Sequence, residues 1–261
     1  AAEYINDYSI RRQLFKSILA KFGGNFYGFI TGGAPLDPSV GEFFERIGIK
    51  VFQGYGLSET SPIISIDRGD DRKLLSVGPV LDSYDAKIDS ETGELLVKGP
   101  SVMKGYYNNP EKTAEVLEED GWLHTGDIGE FDTDGRLYIT GRIKNMIVLS
   151  GGKKVFPEEV EAVLEPNPNF AEVCVFGATR TSGAKDGTEE IMTVVVPTED
   201  VIAKYPNDEE LDSFIGHEVK KLSVKLAPYK RPVNIVVRKA PLPRTATRKV
   251  KRSVVKEETM V

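Results

Sequence analysis

Apolar residues at Ile10, Leu14, Ile18 and Leu19 recur at helical spacing, and the run stops at Gly23-Gly24. A helix is therefore predicted over about 4–22. "FYGFITGG" (26–33) is a short apolar run that ends in glycines, the mark of a buried strand entering a turn. "DPSVGEFFERIG" (37–48) starts with an acidic cap and Pro38 in the first turn, so it reads as a helix. "IKVFQGYG" (49–56) is a second strand ending in glycines. Strand, glycine turn, helix and strand make an α/β unit whose loops gather at one sheet edge.

The texture changes between 62 and 142. The strands "ELLVKG", "GEFD" and "RLYITG" alternate with the turns "SETGE" (90–94) and "DTDGR" (132–136), each with glycine where a left-handed residue is needed. This pattern predicts a small distorted β-barrel. From 143 onward strands and helices alternate. "NMIVLSGGKKV" reads as a hairpin and "PEEVEAVLE" as a short helix with Pro157, Glu158 and Glu159 in its first turn. "AEVCVFGA", "IMTVVVP" and "NIVVRKAP" are strands. "DEELDSFIGHEVKKLSVKLA" is an amphipathic helix with Leu211, Ile215, Val219, Leu222 and Leu226 on one face, and "KVKRSVVKEE" is a final helix. The fold class is α/β plus α+β. One domain spans 1–142, as an α/β segment 1–61 and a barrel-like segment 62–142, and a small domain spans 143–261.

Composition changes this picture little. The 261 residues are 40% hydrophobic, enough for a sizeable core, and the formal charge of -6 with mixed signs argues against nucleic acid as a partner. The single cysteine, Cys174, lies in an apolar strand and reads as a small core residue of a protein from a reducing compartment. The two histidines, His124 and His217, lack metal-ligand spacing. No apolar run reaches the roughly 18 residues of a membrane helix. The expected setting is cytoplasmic, with at most peripheral contact at the inner face of a membrane.

Three glycine-bearing segments carry candidate chemistry. In "TGGAPLD" (31–37) no bulky side chain guards the backbone of Gly33, Ala34 and Pro35, so a flat ring or a phosphate could approach; a plain strand-to-helix turn is the commoner use of such a segment. "GYGLSET" (54–60) offers Tyr55 as an aromatic face, the hydroxyls of Ser58 and Thr60, and the carboxylate of Glu59. A phosphate with Mg²⁺ needs those types, and a solvated loop also contains them. In "GWLHTGD" (121–127) Asp127 could take two hydrogen bonds from a ribose diol or satisfy its own loop. His124 beside Trp122 reads as structural, since no Ser or Cys nucleophile pairs with it.

"GGAPL", "GYGLSETSP", "GELLVKGPSVMKGYYNNPEKT", "GWLHTGDIGEFDTDGRLYITGRIKNMI", "GGKKVFPEEVE" and "PRTATRKVKR" stand in one order along nearly the whole chain. Together they resemble the adenylate-forming superfamily of acyl-CoA synthetases, firefly-type luciferases and peptide-synthetase adenylation domains. The style is most similar to the C-terminal half of a bacterial long-chain fatty-acid–CoA ligase. The resemblance implies ATP/AMP, Mg²⁺ and coenzyme A as partners, together with a fatty acid. A carboxylate attacks the α-phosphate of ATP to give acyl-AMP and pyrophosphate, and the coenzyme A thiol then displaces AMP. It implies that Gly33, Ala34 and Pro35 line the adenine, with Tyr55 and Gly56 packed against it. Ser58 would bond a phosphate and Glu59 would hold the metal. Asp127 would bind the ribose with Arg142 nearby, Lys144 would be the hinge, and Gly151 and Gly152 would line the pantetheine channel. Lys249 would be the mobile lysine that joins the active site for adenylation, where one ammonium neutralises charge on the acyl carboxylate and the phosphate. Lys251, Arg252 and Lys256 read as a solvated helix face.

The pattern also departs from the family. No phosphate loop of the T-S-G-T-T-G-x-P-K-G type occurs, so the 261-residue chain is expected not to activate fatty acids by itself. A truncated large domain is further expected to expose apolar surface and to self-associate. Ser58 replaces the usual threonine, Asn145 the usual aspartate, and Arg248 the usual glycine before the lysine. Alternatives of the same superfamily are an acyl-carrier-protein or aryl-CoA ligase. A non-catalytic nucleotide-binding module is an alternative of another class. Retention of Glu59, Asp127, Arg142 and Lys249 together argues against that last reading.

Overall fold

A computed structural model describes residues 7–69, 72–179, 188–246 and 248–260. The chain divides into two compact units, Ala1–Ile139 and Thr140–Val261. The boundary expected from sequence lies at 142/143.

The first unit begins with α1 (Tyr8–Leu14) and α2 (Lys16–Ala20) rather than one helix. The expected helix starts at 4, and its first residues lie outside the described ones. Phe15 breaks the run at φ -100° and ψ 21°, and Asp7 caps α1 by accepting from the Ser9 and Ile10 amides. Of the four apolar residues that suggested one helix, only Leu19 is buried. Strand β1 (Gly28–Thr31) runs parallel to β2 (Lys50–Gly56), and α3 (Pro38–Arg46) connects them. Asp37 caps α3 through the Ser39 amide at 2.8 Å, with Pro38 in the first turn, as its sequence predicts. β3 (Ile63–Ile66) adds antiparallel to β2. Leu19, Ile47 and Ile49 pack with Phe26, Phe29 and Phe44 to hold helix on sheet.

The remainder of this unit is an open sheet, not the barrel that the strand pattern suggested. Its strands are β4 (Gly78–Pro79), β5 (Asp85–Ile88), β6 (Glu94–Lys98), β7 (Leu123–Phe131) and β8 (Arg136–Arg142), with α4 (Pro110–Ala114) inserted before β7. The order is β4-β8-β7-β6-β5, so β4 and β5 are edges and do not pair. Closure would need a longer β4, and that strand is two residues of which Pro79 has no N–H to donate. The two predicted turns form as expected, with Gly93 at φ 78° and Gly135 at φ 77°. "GEFD" is the end of the much longer β7. Ile64, Val77, Tyr84, Leu95, Val97, Leu123 and Leu137 form the core over this sheet.

In the second unit β9 (Ile147–Val148) and β10 (Lys154–Val155) make the predicted hairpin. Then follow α5 (Pro157–Leu164), β11 (Phe170–Thr179), β12 (Glu189–Pro197), α6 (Glu199–Lys204), α7 (Asp208–Ser223), β13 (Asn234–Val237) and α8 (Arg252–Thr259). β12 is central, antiparallel to β11 and parallel to β13. Strand alternation sends Val173, Val175, Ile191 and Val195 into a core with Leu211, Ile215 and Val219 of α7. The alternate residues Cys174, Phe176, Ala178, Val194 and Val196 face Leu242 and Val255 of the C-terminal segment. Cys174 is buried, and burial pushes its thiol up to about 12, as a core residue requires. Among the described residues no helix is long and apolar enough to cross a membrane.

Candidate active site

The first unit carries Gly33, Ala34 and Pro35 on the loop after β1, Tyr55 and Gly56 at the end of β2, Ser58 and Glu59 in the turn that follows, and Asp127 in β7. The loop 32–36 lies against β2. Leu36 N donates to Gln53 Oε1 at 3.2 Å, and a Cβ on Gly32 would stand 2.8 Å from Gly54 O. Gly33 has φ +82° and open space where a Cβ would be. Ala34 and Pro35 are exposed beside it. This backbone therefore presents a face without side-chain cover.

Tyr55, the residue after Gly54 in β2, reaches Asp127. Its hydroxyl donates to Asp127 Oδ2 at 2.7 Å. Asp127 is 2% exposed and sits at the start of the buried part of β7. A carboxylate held there must be paired or must await a donor, because burying its charge is otherwise costly. Thr125 Oγ1 accepts from Asp127 N at 3.1 Å, which fixes the turn.

Gly56 closes β2 where a Cβ would stand 1.7 Å from Pro62 O, so no other residue fits without moving the backbone. Thr60 Oγ1 donates to Leu57 O and Pro62 O and accepts from Leu57 N, which folds 57–62 into a tight turn. The short 3-10 turn Ser58–Thr60 leaves Ser58 exposed and Glu59 half-buried. Glu59 Oε1 accepts from the Tyr106 hydroxyl at 2.9 Å, and this carboxylate raises the phenol's pKa above its usual value. Tyr106 lies in the quoted "KGYYNNP", and a sequence reading gives it no role. Its hydroxyl orients a carboxylate that has one oxygen left for a ligand. Among the described residues no group of three His, Cys, Asp or Glu side chains could hold a metal. One carboxylate still fits Mg²⁺, which keeps waters and takes its other oxygens from substrate phosphates.

His124 is held between two glutamates. Its Nδ1 lies 2.8 Å from Glu94 Oε2 and its Nε2 lies 2.8 Å from Glu118 Oε1. Glu94 Oε1 also accepts from Gly126 N at 2.8 Å, next to Asp127. Glu94 and Glu118 together hold the imidazole's pKa above its usual value, Glu94 foremost.

The division between the units falls within β8, so Arg142 belongs with Lys144, Gly151, Gly152 and Lys249 to the second unit. Arg142 ends β8, and Lys144 lies in the 3-10 turn Ile143–Asn145. Gly151 and Gly152 are exposed at φ +88° and +75° between β9 and β10, with open space around both. Lys249 lies in a hairpin loop closed by the Arg244–Val250 bridge. Lys251 N donates to Pro243 O at 2.8 Å and Thr245 N donates to Lys249 O at 2.8 Å. Lys249 N in turn donates to Thr245 Oγ1 at 3.1 Å. Its backbone is thus fixed while its side chain is exposed. Thr247 lies outside the described residues.

One expectation is corrected here. Arg252 is not on a solvated face: its side chain is 22% exposed and paired with Glu161 at 13%. It lies three residues before the buried Val255, on the packed face of α8. Lys251 remains exposed, and Lys256 is half-buried.

Comparison with known proteins shows which family the chain belongs to. The sequence profile of AMP-binding enzymes matches residues 8–107, and that of the AMP-binding enzyme C-terminal domain matches 159–249. The long-chain-fatty-acid–CoA ligase FadD15 of Mycobacterium bovis is 40% identical over 166 residues, which is 64% of this chain and 27% of that protein. The long-chain-fatty-acid–CoA ligase of Bacillus subtilis is 39% identical over 243 residues, 88% of this chain and 40% of its own length. Among solved structures, ATP-bound MatB from Rhodopseudomonas palustris superposes with a TM-score of 0.74 at 32% identity, over 88% of this chain and 45% of that one. The chain therefore spans between about a quarter and just under half of the length of these relatives. With both of its units matched in order, the chain belongs to the adenylate-forming family of AMP-binding enzymes.

Proposed function

We propose that this chain supplies the nucleotide-facing loops and the adenylating lysine of an AMP-forming acid–thiol ligase, with a long-chain fatty acid as the acid. The observation that carries the reading is the buried Asp127 carboxylate bonded by Tyr55 at 2.7 Å, and the uncovered backbone of Gly33 in the same unit supports it. A ribose diol donates to such a carboxylate while the adenine ring lies along Gly33, Ala34 and Pro35 against Tyr55. Gly56 keeps that turn tight enough for Ser58 to bond a phosphate. Arg142 adds a cation near the ribose.

In the first half-reaction a carboxylate oxygen of the acid bonds to the α-phosphorus of ATP, and the bond to pyrophosphate breaks. Charge collects on the attacking, leaving and equatorial oxygens. The Lys249 ammonium, a compact charge on a long stem, stabilises it. Mg²⁺ held by Glu59 would supply further neutralisation of phosphate charge. In the second half-reaction the coenzyme A thiol loses its proton and bonds to the acyl carbon, and AMP leaves. Gly151 and Gly152, exposed and free of side chains, suit the narrow pantetheine arm. Lys144 serves as the hinge between the two half-reactions.

The test is ATP–pyrophosphate exchange by the full-length protein against carboxylic acids of graded chain length. Exchange is expected with long-chain acids. Asp127→Ala should raise the ATP KM about 10–100-fold, the range set by losing hydrogen bonds to a charged group. Absence of exchange with every acid tried, by a folded protein, would overturn the reading.

A further inference from the structure

The charged residues around Lys249 are built into the second unit, and two arginines flank the lysine. On one side Arg244 donates through Nε to Glu172 Oε1 at 2.9 Å, and its Nη1 donates to Arg248 O at 2.6 Å. Leu242 N donates to the other oxygen of Glu172 at 2.6 Å. On the far side Arg252 Nη2 donates to both oxygens of Glu161, at 2.8 and 2.7 Å. Arg252 Nε donates to Val175 O at 2.8 Å, and Glu161 Oε1 accepts from Val175 N at 2.7 Å. The pair thus brackets one residue of β11, Val175, on the outer edge of that edge strand. A fork of donors on a carboxylate fixes direction as well as distance, which a lysine at the same place would not do.

A second path leaves the same guanidinium. Arg252 Nη1 lies 3.4 Å from Glu158 Oε1, and that oxygen accepts from Asn145 Nδ2 at 2.6 Å. Asn145 ends the turn Ile143–Asn145 that carries Lys144. The other oxygen of Glu158 is buried and has no hydrogen-bond partner among the described residues.

We infer that Arg252, fixed by Glu161, is a positioning residue for Lys249, and that Glu158 links its position to the turn bearing Lys144. Only Val250 and Lys251 separate Arg252 from Lys249, so a shift of the guanidinium is passed directly to the base of the lysine loop. Arg252 touches no reacting atom and acts only through where it holds Lys249. This inference rests on the adenylation reading given above for Lys249.

The two half-reactions, measured separately in the full-length protein, test it. Arg252→Gln should lower the kcat of pyrophosphate exchange about 10–100-fold, the range a small misplacement of a catalytic group produces. The ATP KM should stay within about twofold and thioester formation from supplied acyl-adenylate within about threefold, because only the adenylating geometry is disturbed. Arg252→Lys should restore part of the loss. Adding Arg252→Gln to Lys249→Ala should change nothing further, since the arginine has no route except the lysine. Glu161→Gln keeps the shape and the hydrogen bond from Val175 N, and it should reproduce the Arg252→Gln pattern; it decides the question if Arg252→Gln does not fold. Equal loss in both half-reactions, or a further loss on the Lys249→Ala background, would overturn the inference. A wild-type protein that exchanges no pyrophosphate would instead overturn the functional reading itself, so the two failures are separable.

Discussion

Arg248 holds a backbone angle of φ 64°, the left-handed region that an L residue with a side chain enters at a cost. It does so because the loop must turn for Thr245 N and Lys249 O to meet. Arg248→Gly should therefore leave adenylation within a few-fold of wild type, while Arg248→Val, β-branched and misfit at positive φ, should lower it about tenfold or more through the lysine's position. Pyrophosphate exchange by the two variants checks this. Tyr55→Phe removes the hydroxyl from Asp127 and should raise the ATP KM by less than Asp127→Ala does, since the carboxylate remains. At this scale the sequence was legible where the local pattern decides, as for Asp37, which caps α3, and Cys174, which is buried in β11. It was not legible where the partner comes from far along the chain. Tyr106 meets Glu59 across 47 positions and Arg252 meets Glu161 across 91. A run of cations reads as solvated until the buried Val255 on the same helix face is known.

Among the elements, the turn 121–127 depends on pH through His124. Its pKa is raised in the folded state by Glu94 and Glu118. The stabilisation from this contact is therefore fully present below the unfolded value of about 6.5 and is lost as pH rises through the higher folded value. His124→Gln should flatten that part of the pH dependence of Tm, and melts across the window will show it. In α7, Ile215 is fully buried at 0% exposure, and Ile215→Ala should cost about 2–5 kcal/mol in chemical denaturation. That helix was legible because its apolar period and its Asn207 cap agree, with Asn207 Oδ1 accepting from the Glu209 and Glu210 amides. The helix expected over 4–22 was not, because its apolar stripe stays largely exposed and Phe15 interrupts it. The barrel failed for a different reason. Strand alternation reveals which residues face the core, while closure depends on whether the edge strands are long enough to meet.

For the molecule as a whole, each unit has its own core. The clusters around Leu95 and Ile49 belong to the first unit, and those around Ile215 and Val255 to the second. Such units can unfold separately. Scanning calorimetry should then resolve two transitions, of which Ile215→Ala lowers one. Motif order along the chain made both units recognisable before any coordinates, because each motif marks a turn with a fixed chemical duty. Position of the charges within those turns needed the fold.

The central claim is that Lys249 serves adenylation and little else. The most direct measurement compares Lys249→Ala with wild type in the full-length protein, in pyrophosphate exchange and in thioester formation from supplied acyl-adenylate. Loss of a transition-state cation predicts a fall of about 100-fold or more in exchange, with the thioester step nearly intact. Undiminished exchange, or equal losses in both steps, would contradict it.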